Sequence, residues 1–142
     1  MALAQRIMDD IIDLELEKIE KIIAKIDSDP ESEEVKEAEK HLWEKIYKKS
    51  GQGRRTGVGI TAEGDMLAAM GLRYGTEEAT EFSEQVHKTI ALEAYRSSVN
   101  MAKERGAFAI YDSEREKNNP FINRLKEADP ELYEEMKKYG RR

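Results

Sequence analysis

The sequence contains no cysteine among its 142 residues. A disulfide bond, a thiolate metal ligand and a nucleophilic thiol are therefore excluded within these residues. No apolar run approaches the ~20 residues that a membrane-spanning helix needs, and residues 1–10 lack the apolar core of a signal peptide. We therefore expect a soluble, cytoplasmic protein that does not act at a membrane.

A basic surplus is also missing, because 24 Lys and Arg stand against 30 Asp and Glu, for a net charge of −6. Proteins that bind nucleic acid usually neutralise its phosphates with excess basic residues. The only arginine pairs are Arg54-Arg55 and Arg141-Arg142, and no aromatic residues are interleaved with them. The composition therefore does not favour a nucleic-acid partner.

Amphipathic helices account for most of what is present. Apolar residues recur at helical spacing along residues 2–26, and an Asp-Ser-Asp-Pro stop follows at 27–30. A second helix is predicted from Pro30 or Ser32 to Ser50, so residues 1–50 should form an antiparallel helical hairpin. The apolar stripe of the first helix comprises Leu3, Ile7, Ile11, Ile12, Ile19, Ile22, Ile23 and Ile26.

The second half of the chain is also predicted to be helical. Thr76 is a good N-cap for a long amphipathic helix over 76–106, and Gly106 is a good stop. Residues 107–142 should form short helices that open at Asn119-Pro120 and Asp129-Pro130. The fold class is therefore mainly α over 1–142, with one or two short strands, at Val58–Ile60 and in the apolar run 107–111.

The stretch 51–75 is the one long break between these helices. Its glycines, Gly57, Gly59 and Gly64, have the wrong spacing for a dinucleotide-binding loop, and no lysine followed by Ser or Thr completes a P-loop. Arg54 and Arg55 could hold an anion beside a helix that Thr61 would cap. The alternative, which we favour, is a tight strand-to-helix turn formed by Gly57, Gly59, Gly64 and Asp65.

Two other patterns suggest catalytic or metal chemistry only weakly. Glu84 and His87 match half of a di-iron carboxylate signature, but the only other histidine, His41, has its glutamate four residues before it. A surface pair on one helix is the simpler interpretation. A Ser-His-Asp triad lacks its strand-elbow context. We predict no metal site and no catalytic residue.

Four blocks of sequence resemble the large catalytic chain of ribonucleotide reductases, and most closely the adenosylcobalamin-dependent class II. They are DDIID (9–13), GRRTGVGITAEGDMLAAMGLRYG (53–75), HKTIALEAYRSSVNMAKERGAF (87–108) and REKNNPFINRLKEADPELYEEMKKYGRR (115–142). Together they cover nearly the whole chain in order. One departure is Glu63, where the family pattern has a bulky apolar residue.

The resemblance implies an internal, mostly helical segment of a ten-stranded α/β barrel in a longer enzyme that makes deoxyribonucleotides for DNA replication by radical chemistry. The chain end at Gly140-Arg141-Arg142, just past a helix stop, fits a fragment. The family's radical cysteine and reducing cysteine pair have no counterpart here, so the segment is expected to be scaffold and inactive alone. Adenosylcobalamin would belong to the full-length enzyme, and the remainder of that chain would be the partner.

A second hypothesis is a free-standing helical module without catalytic activity. Such a module would dock on a partner chain, or form a homo-oligomer, through exposed apolar helix faces.

Overall fold

A computed structural model describes all residues from 1 to 142, and it contains seven helices. The helices are α1 (Ala2–Ile26), α2 (Glu33–Gly53), α3 (Glu63–Ala69), α4 (Glu77–Arg105), α5 (Ser113–Glu116), α6 (Pro120–Ala128) and α7 (Pro130–Tyr139). The bounds of α1 agree with the sequence prediction, and α4 lies within the predicted range 76–106. The mainly helical fold class is confirmed.

The predicted short strands are wrong for this chain. Residues 54–62 and 107–112 adopt no regular secondary structure apart from a turn at 109–110. The alternation of Val58 and Ile60 with glycine is strand-like, but a strand exists only when another strand accepts its hydrogen bonds. No such partner lies among these residues.

Helices α1 and α2 form an antiparallel pair. The start of α2 lies near the end of α1, where Lys40 Nζ and Asp27 Oδ1 are 3.1 Å apart. Further along, the hydroxyl of Tyr47 donates to Glu20 Oε1 at 2.8 Å. Beyond the end of α2, Arg54 reaches Asp9 in the first half of α1.

The apolar residues of α1 divide between two faces instead of forming the single buried stripe that we predicted. Ile12, Ile19 and Ile26 are buried, with at most 8% of their surface exposed. By contrast, Leu3 is 70% exposed and Ile7 and Ile11 are about half exposed. The first half of α1 therefore carries apolar residues on an outer face that nothing covers.

The C-terminal half is held together by a compact apolar cluster between α4, α6 and α7. Its buried members are Val99, Ile122, Leu125, Leu132 and Met136. Burying each large apolar side chain contributes about 1.5–3 kcal/mol, which fixes the two short helices on α4.

The N-cap predicted at Thr76 and the helix starts predicted at Asn119-Pro120 and Asp129-Pro130 are confirmed. The side chains of Thr76, Asn119 and Asp129 accept hydrogen bonds from backbone N–H groups in the first turns of α4, α6 and α7. Each cap satisfies a donor that the helix itself leaves free.

The start of α3 differs from the prediction. Ala62, and not Thr61, is the N-cap, and it has a left-handed backbone with φ 62°. No sequence pattern predicted α5, which is a single turn whose N-cap is Asp112.

Candidate functional site

Arg54 is buried against α1. Its Nε donates to Asp9 Oδ1 at 2.5 Å, and its terminal nitrogens donate to Asp13 Oδ1 and to the carbonyl oxygen of Asp9, both at 2.7 Å. Only 5% of the Arg54 side chain is exposed. The residue ends α2 in a left-handed conformation, with φ 42°, which turns its side chain toward α1. The donors of Arg54 are therefore used inside the chain.

Asp9 binds two further arginines. Arg142 Nε lies 2.9 Å from Asp9 Oδ2, and a terminal nitrogen of Arg105 lies 3.2 Å from the same oxygen and 2.6 Å from Asp10 Oδ1. The carboxylate thus joins α1 to the end of α2, the end of α4 and the C-terminal residues. We call this group the Asp9 cluster; its members are Asp9, Asp10, Asp13, Arg54, Arg105 and Arg142.

Electrostatics keep Asp9 ionised. Burial alone would raise the pKa of its carboxyl, but the hydrogen bonds from Arg54 and Arg142 outweigh this effect, so the pKa lies below its ordinary value. A buried charge is tolerated when it is paired and hydrogen-bonded, and here all polar contacts of the Asp9 carboxylate go to arginine.

The three carboxylates of the cluster are close enough together to suggest a cation site. Ligand oxygens of Asp9, Asp10 and Asp13 lie within 4.8 Å of one another. However, each carboxylate accepts from an arginine, and three guanidinium groups balance the three negative charges. The arrangement is that of an internal ion-pair cluster.

Local sequence patterns did not predict this cluster. The sequence features that could have indicated it are the acidic DDIID block at 9–13 and two arginines, Arg54 and Arg142. No partner had been predicted for either arginine. The pairing itself spans 133 residues between Asp9 and Arg142, and no local pattern can encode that contact.

A cleft of about 870 Å³ lies beside the cluster, between residues 53–58, one face of α4 and the C-terminal residues. Both arginine pairs line it, together with aromatic residues on the opposite wall. Arg55 lines the cleft, is exposed, and forms no ion pair. The structure therefore separates two neighbours that the sequence pattern treats alike, because Arg54 is buried and paired whereas Arg55 is free.

Arg141 occupies an aromatic surface at the other wall of the cleft. Its guanidinium lies 5.1 Å from the ring centre of Tyr95, and 5.8 and 5.7 Å from those of Phe108 and Tyr111. It also forms an ion pair with Glu116. Such cation–π contacts with an ion pair fix the guanidinium plane, so Arg141 holds the C-terminal residues against α4 and the loop after it.

Gly140 is required by this arrangement. Its φ of 77° lies in the region that favours glycine, and a Cβ there would come within 2.6 Å of the Ala107 Cβ. Next to it, the Phe108 N–H donates to the Arg141 carbonyl at 2.9 Å, and Ser98 Oγ donates to the Arg142 carbonyl at 2.6 Å. The terminal residues are thus bound through both backbone and side chains.

The predicted turn residues lie in the open part of the chain. No atom lies within 4 Å of where a Cβ would stand on Gly57, Gly59 or Gly64, and none of the three has a positive φ. Asp65 is exposed in the first turn of α3. Nothing within residues 1–142 therefore requires glycine at these positions, and the tight turn assigned to them stays a prediction.

Glu63, the departure from the family pattern, has polar partners on α4. Ser83 Oγ donates to Glu63 Oε1 at 2.6 Å, and His87 Nε2 lies 3.5 Å from Glu63 Oε2. The hydrogen bonds from Ser83 and then His87 lower the pKa of the Glu63 carboxyl. The carboxylate that lies close to His87 is therefore that of Glu63, and this contact connects α3 to α4.

None of the helices combines the length and the apolar character needed to cross a membrane.

Comparison with known proteins gives a consistent result. The family model described as ribonucleotide reductase, barrel domain, matches residues 2–142. A vitamin B12-dependent ribonucleoside-diphosphate reductase of Thermoplasma acidophilum is 37% identical over 86 residues, which is 60% of this chain and 11% of that protein. A protein of the same name from Mycobacterium tuberculosis is 34% identical over 62 residues, or 44% of this chain and 9% of its own length.

A ribonucleoside-diphosphate reductase subunit alpha of Chlamydia pneumoniae is 38% identical over 58 residues, which is 41% of this chain and 6% of that protein. The aligned part thus spans about a tenth or less of each of these relatives. No solved structure matches the chain.

Proposed function

Because this chain belongs to the ribonucleotide reductase barrel-domain family, we propose that residues 1–142 are a structural part of a reductase that converts ribonucleotides to deoxyribonucleotides by radical chemistry. Within that enzyme the segment supports the barrel and carries none of the reacting groups. The sequence contains no cysteine, so the radical and reducing thiols of the family would lie in other parts of the enzyme.

The observation that carries this proposal is the unpaired backbone of residues 55–61. No N–H or C=O group in this extended stretch forms a hydrogen bond with another backbone group. A row of free peptide groups is a template for a neighbouring strand, and a barrel is an architecture that pairs every strand on both edges. We infer that strands outside residues 1–142 pair with this stretch in the complete enzyme.

The Asp9 cluster supports the same role. It fixes Arg54, the residue that precedes the unpaired stretch, to three other parts of the chain. The stretch 55–61 is therefore held in place at both ends. The Asp9 cluster fixes its start, and α3, which Glu63 connects to α4, follows its end. Such anchoring would hold a barrel strand in position against the surrounding helices.

The class of reductase is a further step of the proposal. Two of the relatives are named as vitamin B12-dependent enzymes, and the sequence resemblance is to that class. Adenosylcobalamin would supply the radical in the complete enzyme. The residues present do not fit this cofactor, because three arginines of the cleft are already paired to Asp9 or Glu116.

We propose that Arg55 contacts an anion or a nucleotide. It is exposed on the cleft and has no carboxylate partner, whereas the donors of Arg54 are occupied. In the complete reductase, Arg55→Ala should raise the KM for the nucleotide substrate and leave kcat little changed. An unchanged KM would remove Arg55 from the site.

A different function, a free-standing helical interaction module, is favoured by one observation. Large apolar side chains are exposed on the outer face of α1, and such surfaces commonly bind other proteins. On this alternative the apolar face, and not the unpaired stretch, would be the functional surface.

One experiment separates the two functions. The complete reading frame that encodes residues 1–142 is sequenced, expressed and assayed for ribonucleotide reduction with and without adenosylcobalamin. From the family resemblance we expect the radical-cysteine motif Asn-x-Cys-x-Glu upstream and the phosphate-binding motif Pro-Thr-Gly-Thr downstream. We also expect reduction that requires the cofactor. A reading frame limited to these 142 codons would contradict the reductase proposal, and cofactor-independent reduction would contradict the assignment to class II.

A further inference from the structure

Arg54 has a left-handed backbone, with φ 42° and ψ 48°, although it is not a glycine. In this conformation the Cβ of an ordinary residue lies too close to the following carbonyl oxygen, which costs free energy. Such a residue persists only where the surrounding structure holds it, and strained positions of this kind often place a functional group. The side-chain contacts that hold Arg54 all come from α1.

The guanidinium of Arg54 is bound at three points. Its Nε donates to Asp9 Oδ1, and its two terminal nitrogens donate to Asp13 Oδ1 and to the Asp9 carbonyl oxygen, at 2.5, 2.7 and 2.7 Å. A planar guanidinium that is bound through several of its fixed donors has a single orientation. This orientation fixes the left-handed residue at the end of α2, directly before the stretch 55–61.

The residue on the other side of Arg55 is also attached to α1. Gln5 Nε2 donates to Thr56 Oγ1 at 3.3 Å. Arg55 therefore lies between two residues that α1 holds, while its own side chain is exposed and lines the cleft. The stem of the side chain lies over Gly53, because a Cβ on that glycine would stand 3.8 Å from Arg55 Cγ. The position from which the Arg55 guanidinium reaches into the cleft is thus set by α1.

We propose that Asp13, acting through Arg54, is a positioning residue that directs Arg55 to a phosphate group of a nucleotide in the cleft. This inference rests on the proposed contact of Arg55 with an anion or a nucleotide, and it assigns α1 a role in that contact. The carboxylate of Asp13 is 48% exposed and accepts only from Arg54. Without it the Arg54 guanidinium keeps its bonds to Asp9 but loses the third, so the strained backbone is held less firmly. A binding group that is placed less accurately binds more weakly.

Steady-state kinetics of the complete reductase test the proposal. We expect Arg55→Ala to raise the KM for the nucleotide substrate about tenfold or more, as the loss of a charged hydrogen bond predicts. Asp13→Ala should raise the KM at least about threefold and change kcat less than about twofold. The matched control is Asp10→Ala, the same change on the same helix at a carboxylate that is 54% exposed and pairs with Arg105 instead of Arg54. It should leave the KM unchanged.

A double variant separates positioning from a general loss of structure. If Asp13 acts through Arg55, Asp13→Ala should raise the KM no further when Arg55→Ala is already present. Alanine is a good helix former at such a half-exposed position, so the variant should fold, and circular dichroism checks this.

Three results would overturn the positioning role: an unchanged KM for Asp13→Ala, an equal increase for Asp10→Ala, or additive increases in the double variant. In each of these cases an increased KM for Arg55→Ala would leave the contact of Arg55 with the nucleotide intact. An unchanged KM for Arg55→Ala would overturn both that contact and the positioning role, so the two failures are distinguished.

Discussion

Arg54 and Arg55 are neighbours in the sequence, but they belong to two very different regions of the molecule. Arg54 belongs to the Asp9 cluster, where each carboxylate is paired with a guanidinium and the central side chains are buried. Arg55 begins the stretch 55–61, whose backbone has no partner in the chain. The first region satisfies its polar groups within residues 1–142, whereas the second leaves its backbone groups without a backbone partner in the chain.

This difference separates what the segment does alone from what it does in a larger enzyme. Changes in the Asp9 cluster should weaken the isolated chain. Changes in the stretch 55–61 should matter only when the missing strands are present.

The largest effect is expected from Asp9→Ala. Removing one partner of a buried ion pair leaves uncompensated charge and costs about 3–5 kcal/mol of unfolding free energy. Urea denaturation followed by circular dichroism measures it. The matched control is Asp10→Ala, an exposed neighbour paired with Arg105, whose loss should cost at most about 1 kcal/mol. Equal losses for the two variants would show that burial of Asp9 does not matter.

A smaller loss is expected from Gly140→Ala. The substitution strains a backbone with positive φ and brings a methyl group against Ala107, so we expect a loss of about 1–3 kcal/mol. Urea denaturation again provides the measurement, and a change below about 0.5 kcal/mol, typical of an unconstrained surface site, would mean that the terminal residues are not bound as described.

Acid should weaken the fold in part through Asp9. The folded pKa of Asp9 is lowered, so its contribution is complete above the unfolded value of about 3.9 and is lost as the pH falls through the folded value. Stability of the wild type should therefore decline more steeply below about pH 4 than that of Asp9→Ala. Denaturation midpoints measured on both sides of this pH give the two slopes. Parallel slopes would show that Asp9 does not set the response to acid.

The smallest effect is expected from Gly59→Ala in the isolated chain. Its φ is not positive and nothing lies within 4 Å of the added Cβ, so the unfolding free energy should change by less than about 0.5 kcal/mol. In the complete reductase the same change should reduce activity if a neighbouring strand packs closely on Gly59. Loss of stability in the isolated chain would contradict the open environment described for this stretch.

The sequence predicted the parts of the fold that local patterns determine. The bounds of α1 and the helix starts at Thr76, Asn119 and Asp129 depend on information within a few residues, and each agrees with the structure. The family resemblance was also confirmed, because the matching blocks extend over nearly the whole chain.

The errors concern contacts between distant residues. The strand predicted at Val58–Ile60 failed because no other strand in this chain pairs with it. The single apolar stripe predicted on α1 failed because no element of this chain covers its outer face. Arg54 was considered as a weak anion contact, and its partners Asp9 and Asp13, which lie more than 40 residues away in sequence, were not predicted. Such pairing depends on tertiary structure, which no local spacing reveals.

The central claim is that residues 55–61 are a barrel strand whose partners lie outside residues 1–142. Amide hydrogen exchange tests it by comparing the isolated chain with the complete reductase. We predict rapid exchange at 55–61 in the isolated chain and strong protection of the same amides in the complete enzyme, while the amides of α1 around Asp9 are protected in both. Rapid exchange at 55–61 in both proteins would contradict the claim.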